Sequence, residues 1–240
     1  MKNSNGTWVS LLLALGFGLA SGGLVLTQSA SGADTPAAAT KDLVPLDLKL
    51  PIPAFMGTPV DIPLTDNIEK PSDKPRPPFM VPNGVVNAAL SKKVTCSDKN
   101  PITGSVELVT DGDKESNDNS FLELHRRLQW VQIDLGSPYA IYVIMIWHAH
   151  NTPQIYRDVV VQVSDDPDFS QNVQTVFNND RDNSAGLGIG KDKEYFESYE
   201  GKLIDAKGVK GRYVRLYSNG STYSALNRYT EVEVYSLPAK

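Results

Sequence analysis

Residues 128–150 read LQWVQIDLGSPYAIYVIMIWHAH. In WVQIDL (130–135) the apolar Val131, Ile133 and Leu135 alternate with Gln132 and Asp134, the pattern of a strand with one face in a core and one in water. In IYVIMIW (141–147) every position is apolar, so this strand should lie centrally and be covered on both faces. Outward from it, the same period of two recurs in DVVVQVS (158–164), RYVRLYS (212–218) and TEVEVYSL (230–237). In the last of these Val232 and Val234 would face the core, and Glu231 and Glu233 the solvent. No stretch sustains a helical period. The reading is an all-β sandwich over 83–240, with Greek-key or jelly-roll wiring to manage its edges.

The rest of the chain is of different texture. Lys2 precedes an apolar stretch from Val9 to Leu26, followed by small and polar residues. That order reads as an export leader over 1–33, cleaved after Ala33 or retained as an N-terminal anchor, which is the one route to membrane contact. The chain is accordingly expected in the periplasm, the cell envelope or outside the cell. A linker or docking segment follows over 34–82, and ten of the 16 prolines fall between Pro45 and Pro82. Proline fixes φ and removes a backbone donor, so extended chain is expected there. A spacer is the simpler reading, although Leu46, Leu48, Leu50, Ile52, Phe55 and Met56 argue that part of it docks.

Composition narrows function. A net charge of -5 offers no basic surface for nucleic acid. The single cysteine, Cys96, can form neither an intrachain disulfide nor a cysteine-rich zinc site. The G-x-S-x-G elbow of serine hydrolases does not occur, and nothing beside Cys96 in sequence would activate its thiol. A non-catalytic binding module is therefore expected.

Three oxygen- and nitrogen-rich stretches could carry ligand chemistry. In LVTDGDKES (108–116), Asp111, Gly112, Asp113 and Ser116 offer carboxylates, a turn glycine and a hydroxyl, which suit calcium; an Asp-Gly turn on a wet acidic surface is the plainer alternative. In NNDRDNSAGLGIG (178–190), Asp180, Asp182, Ser184 and Gly186 mimic a calcium loop, but Lys191 stands where its closing glutamate belongs, so a flexible glycine-rich loop is favoured. His148 and His150 would share a face if their strand continued, as a metal pair with Asp158 or Asn151, or as polar loop groups that meet a ligand. Sugars are held by a few aimed polar groups and an aromatic face. HAHNTPQIYRD (148–158) and SNGSTYSALNRY (218–229) have that composition. They supply the candidate ligand residues His148, His150, Asn151, Tyr156, Arg157, Asn219, Tyr223 and Arg228.

The order NPITGSVELVTDGDKES (100–116), LQWVQIDLGSPYAIYVIMI, DVVVQVSDDPDF, GRYVRLYS and EVEVYS resembles the discoidin, or coagulation factor V/VIII type C, family and the related galactose-binding-like carbohydrate-binding modules. The resemblance covers roughly Asn83 to Tyr235. It implies a jelly-roll sandwich whose end loops bind sugars, lipids or proteins. It also implies a calcium ion held by Asp111 and Glu231 through carboxylates, by Asp113 largely through its backbone, by Ser116, and by the carbonyls of Leu108 and Thr230. Serine replaces the usual threonine at 116, and the tryptophan that often follows is missing. A carbohydrate or glycoconjugate is the expected partner, with a protein partner of an envelope scaffold as the alternative.

Overall fold

A computed structural model describes residues 42–55, 57, 62–72 and 74–239. The leader expected over 1–33 lies outside the described residues. Among the described residues no helix is long and apolar enough to cross a membrane.

Ten strands occur among the described residues: β1 (Leu43–Pro45), β2 (Met80–Pro82), β3 (Val86–Asn87), β4 (Lys93–Cys96), β5 (Leu122–Leu124), β6 (Gln129–His148), β7 (Val160–Ser164), β8 (Gln174–Asn178), β9 (Lys202–Ser218) and β10 (Asn227–Pro238). One short 3-10 helix, Val106–Thr110, precedes β5. All the strand-to-strand ladders are antiparallel, and the main path runs β3-β10-β6-β9-β7-β8, with β4 on β6 and β5 on β10.

Two long strands make this one sheet into a sandwich. The first half of β6 pairs with β4 and the end of β9, and its second half pairs with β10 and the start of β9. The β6–β9 register breaks between Asp134 and Tyr139, where Gly136 takes φ +87°. A second break lies between Ile141 and Val143, where β9 carries Lys207 and Gly208 at positive φ opposite Tyr142. Each strand thus folds over on itself, and Val131, Ile133 and Leu135 meet Ile144, Ile146, Val232 and Val234 in a single core. This is the all-β jelly-roll architecture expected from the alternating runs.

The apolar run 141–147 is covered twice, by different means. Ile141, Ile144 and Ile146 enter the main core, whereas Val143, Met145 and Trp147 face the other way. The three-residue step from Ile141 to Ile144 is possible because Tyr142 is a bulge, skipped in the ladders to both β9 and β10. The outward face is roofed by the proline-rich segment: Val44, Leu46, Leu48, Phe79 and Val81 pack on Val143, Met145, Trp147 and Tyr235. β1 and β2 pair within this roof, and the Leu46 N–H donates to the Phe79 carbonyl at 2.8 Å. Leu50 and Ile52 stay exposed, so docking is confined to part of the apolar set.

One sequence expectation is corrected here. Glu231 and Glu233 do not face water: they are 0% and 5% exposed, because the loop after the 3-10 helix lies across that face of β10.

The roof predicts a stability effect far from any loop. Phe79→Ala should lower the unfolding free energy by about 0.5–3 kcal/mol, read from urea melts. An unchanged midpoint would mean that the segment is only a spacer.

Candidate functional site

The loops 125–128, 149–159, 179–201 and 219–226 open at one end of the sandwich, because Gln129 pairs with Ser218, Val160 with Tyr217 and Asn178, and His148 with Tyr229. The buried Asn227 amide ties this end together. Its oxygen accepts from Ser218 Oγ (2.8 Å) and Gly220 N (2.7 Å), and its nitrogen donates to the His125 and Arg127 carbonyls (2.8 and 2.9 Å). All four of its bonding positions are used.

The two loops singled out for ligand binding are zipped together. The Arg157 N–H donates to the Gly220 carbonyl and the Asn219 N–H to the Arg157 carbonyl, each at 2.9 Å. Thr222 N–H donates to the Ile155 carbonyl, also at 2.9 Å, and Tyr156 forms an isolated bridge with Ser221. Beneath them Gln154 accepts from Ser221 Oγ (2.7 Å) and donates to the Ala149 carbonyl (2.6 Å).

Only half of the eight candidate ligand residues remain available on this platform. Arg157 is exposed, Tyr223 is 63% exposed, and Asn151 and Asn219 are half-buried. His148, His150 and Tyr156 are buried, which removes them from direct ligand contact. His148 is 0% exposed; its Nδ1 donates to Glu197 Oε1 at 2.6 Å, and its ring stacks on Tyr156 at 4.2 Å and tilts against Tyr229 at 4.8 Å. β6 ends at His148, so the two histidines do not extend from one strand face as a metal pair: His150 turns to the Lys114 carbonyl instead. Arg228 is ion-paired with Glu123 and lies over the Phe121 ring, so its guanidinium is already committed. Glu197, Gln154 and Asn227 do the positioning that sequence reading did not assign. Each has at least one partner 49 or more positions away, which no local spacing could have revealed.

The candidate cation loop reaches Glu231 through its turn glycine. Gly112, at φ +90°, donates its N–H to Glu231 Oε2 at 3.1 Å across 119 positions of sequence. Asp111 Oδ1 accepts from the Asp113 N–H (2.8 Å), Ser116 Oγ accepts from the His150 N–H (2.9 Å), and Leu108 lies on the 3-10 helix that leads into the loop. Thr230 is the extra residue of a bulge in β10, between the pairs Tyr229–His148 and Glu231–Trp147. Glu231 Oε1 and Thr230 Oγ1 are buried without hydrogen-bond partners. Burial pushes the Glu231 carboxyl up to about 9; Gly112 and Lys114 oppose this, and Glu233 and Asp111 add to it. Two orphaned buried oxygens thus lie beside an acidic turn.

A second acidic group lies among the end loops. One carboxylate oxygen from each of Asp158, Asp180 and Asp182 falls within 4.8 Å of the others, a grouping that could hold a metal ion. These carboxylates already accept from Ser184, Ala185 and Asn219, bonds that also fold the loop.

With this geometry in view, residues 108–216 match the F5/F8 type C family model described as NedA-like, galactose-binding domain. The discoidin kinship expected from the motif order is therefore found over these residues, from the 3-10 helix to β9. Among solved structures the chain is similar to a fucose binding module of Streptococcus pneumoniae (21% identity, 63% of this chain and 98% of that one, TM-score 0.46). It is also similar to a fucolectin from striped bass, Morone saxatilis (20% identity, 65% and 50%, TM-score 0.46). A third likeness is to a family 89 glycoside hydrolase of Clostridium perfringens, of which it spans 15% (18% identity, 64% of this chain, TM-score 0.47). Comparison with curated proteins finds no match.

Two outcomes follow from the buried groups. His148→Phe should destabilise the protein by about 3–5 kcal/mol by stranding Glu197, measured by chemical denaturation; a ligand-contacting histidine would leave stability intact. In chelator, Glu231 binds its proton more tightly folded than unfolded. Stability should therefore fall as pH rises from about 5 to about 9, and Glu231→Gln should flatten that slope.

Proposed function

We propose that this protein is an exported, non-catalytic binding module that recognises carbohydrate through the joined loops 149–159 and 219–226, and that a calcium ion stabilises it. The observation that carries the reading is the hydrogen-bonded junction of those loops, which joins the loop bearing exposed Tyr223 and half-buried Asn219 to the loop bearing exposed Arg157 and half-buried Asn151. A sugar presents C–H faces to an aromatic ring and hydroxyls to fixed polar groups, so Tyr223 is the stacking surface, and Arg157, Asn151 and Asn219 are the donors and acceptors. The galactose-binding domain match over 108–216 supports the ligand class. The leader-like sequence over 1–33 supports export.

Calcium fits the oxygens gathered around Glu231. Asp111, Asp113, Ser116 and Glu231 would hold it, with the carbonyls of Leu108 and Thr230. The ion would neutralise a carboxylate that is otherwise buried without a full set of partners. It supplies no chemistry beyond fixing the loop.

Glycan-array screening followed by titration calorimetry of a hit tests the reading. Tyr223→Ala should weaken binding at least tenfold, about 1.4 kcal/mol by the affinity relation, with no loss of stability. Silence of the array at millimolar ligand, with capture of one defined protein that sugar does not displace, would favour a scaffold domain instead. Calcium should raise the melting temperature by mass action, and chelator should reverse the shift.

A further inference from the structure

We infer that His150 is a positioning residue through which the cation loop 111–116 fixes the ligand-presenting loop 149–159, so that calcium tunes ligand binding at a distance. The inference rests on the cation reading of the Asp111–Glu231 contact and extends it to regulation of the binding end.

His150 stands two residues beyond the end of β6 and is 1% exposed, so it does not reach a ligand itself. Its backbone N–H and its ring both bond to the cation loop. Its backbone N–H donates to Ser116 Oγ at 2.9 Å, and its ring Nε2 meets the Lys114 carbonyl at 2.9 Å. A carbonyl can only accept, so the proton must sit on Nε2, and the ring orientation is set by the loop rather than by solvent. Lys114 is fixed in turn: its ammonium pairs with Glu233 at 2.8 Å and lies 5.5 Å from the Trp147 ring centroid.

From His150 the bonds continue to the presenting surface. Ala149 accepts from Gln154, Gln154 accepts from Ser221, and Ile155 N–H donates to Thr222 Oγ1 at 3.1 Å. Tyr223 follows Thr222 directly. The loop that would wrap the ion and the loops that would hold the sugar are therefore joined by a hydrogen-bonded path with one histidine as the bridge. At the near end of that path Glu231 Oε1 and Thr230 Oγ1 are buried without hydrogen-bond partners, beside the Gly112 contact that carries the loop. Ordering the cation loop should then order residues 149–156, the reciprocal coupling that defines allostery between two sites.

Native-state hydrogen exchange of the full chain, in calcium and in chelator, tests this without a known glycan. In the unmodified protein calcium should slow amide exchange at least about tenfold at 110–116 and at 149–156, in keeping with local rather than global opening. His150→Leu fills the space and keeps the backbone N–H to Ser116, but its side chain cannot donate to the Lys114 carbonyl. In it the slowing should persist at 110–116 and shrink at 149–156, and His150→Gln, with an amide N–H of similar reach, should restore part of it. Undiminished slowing at both segments in His150→Leu would overturn the role of the His150 side chain. Slowing confined to 110–116 in the unmodified protein would overturn the coupling while leaving the cation site standing. No slowing at either segment would remove the cation reading and this inference with it. If His150→Leu does not fold, His150→Gln and the unmodified protein still decide: unequal protection of the two segments in the latter is sufficient to reject the link.

Discussion

A carboxylate cut off from water organises the functional end of this protein. Glu231 reaches Gly112 from the opposite side of the sequence, and that contact carries the 111–116 loop onto β10. Were the loop elsewhere, Lys114 and Ser116 would not meet His150, and the turn out of β6 would lack its two anchors. A buried carboxyl is costly unless it is protonated, paired or bound to a cation. Burial raises the Glu231 carboxyl to about 9, and the neighbouring Asp111 adds to that shift. The bulge at Thr230 belongs to the same device, since it adds a residue to β10 beside Glu231 and leaves a hydroxyl there without a protein partner.

The sandwich was legible in the sequence because strand faces write themselves as a period of two. Val131, Ile133 and Leu135 lie in the core as their alternation says, and Gln132 and Asp134 meet Arg215 and Arg212 on the outer face. The doubly apolar run 141–147 announced a second cover but not its source. Proline obscured that source: Val44, Leu46 and Leu48 keep a strand-like alternation, yet they lie in a segment whose prolines forbid an ordinary central strand. Glu231 and Glu233 read as solvent-facing for the opposite reason, since period reveals which face a residue takes and not what lies on that face.

The loop end of the sandwich was legible by loop and not by residue. The loops 149–159 and 219–226 do converge, and Arg157 and Tyr223 are displayed as composition suggested. His148 and Tyr156 carry the same polar-aromatic signature but are buried, because Glu197 reaches in from a segment without periodicity to satisfy the imidazole. Arg228 is withdrawn in the same way by Glu123. Side-chain type marks which residues could meet a ligand. Partners 49 and 105 positions away decide which ones are free to do so.

The roof of β1, β2 and their flanks has a bearing on how such modules travel between proteins. The stretch that matches the family, 108–216, begins after the roof is complete. A chain cut at those limits would lose the loop 219–226 and β10 together with the roof, and would leave Val143, Met145 and Trp147 without their cover. The unit that must fold together is thus longer than its recognisable signature.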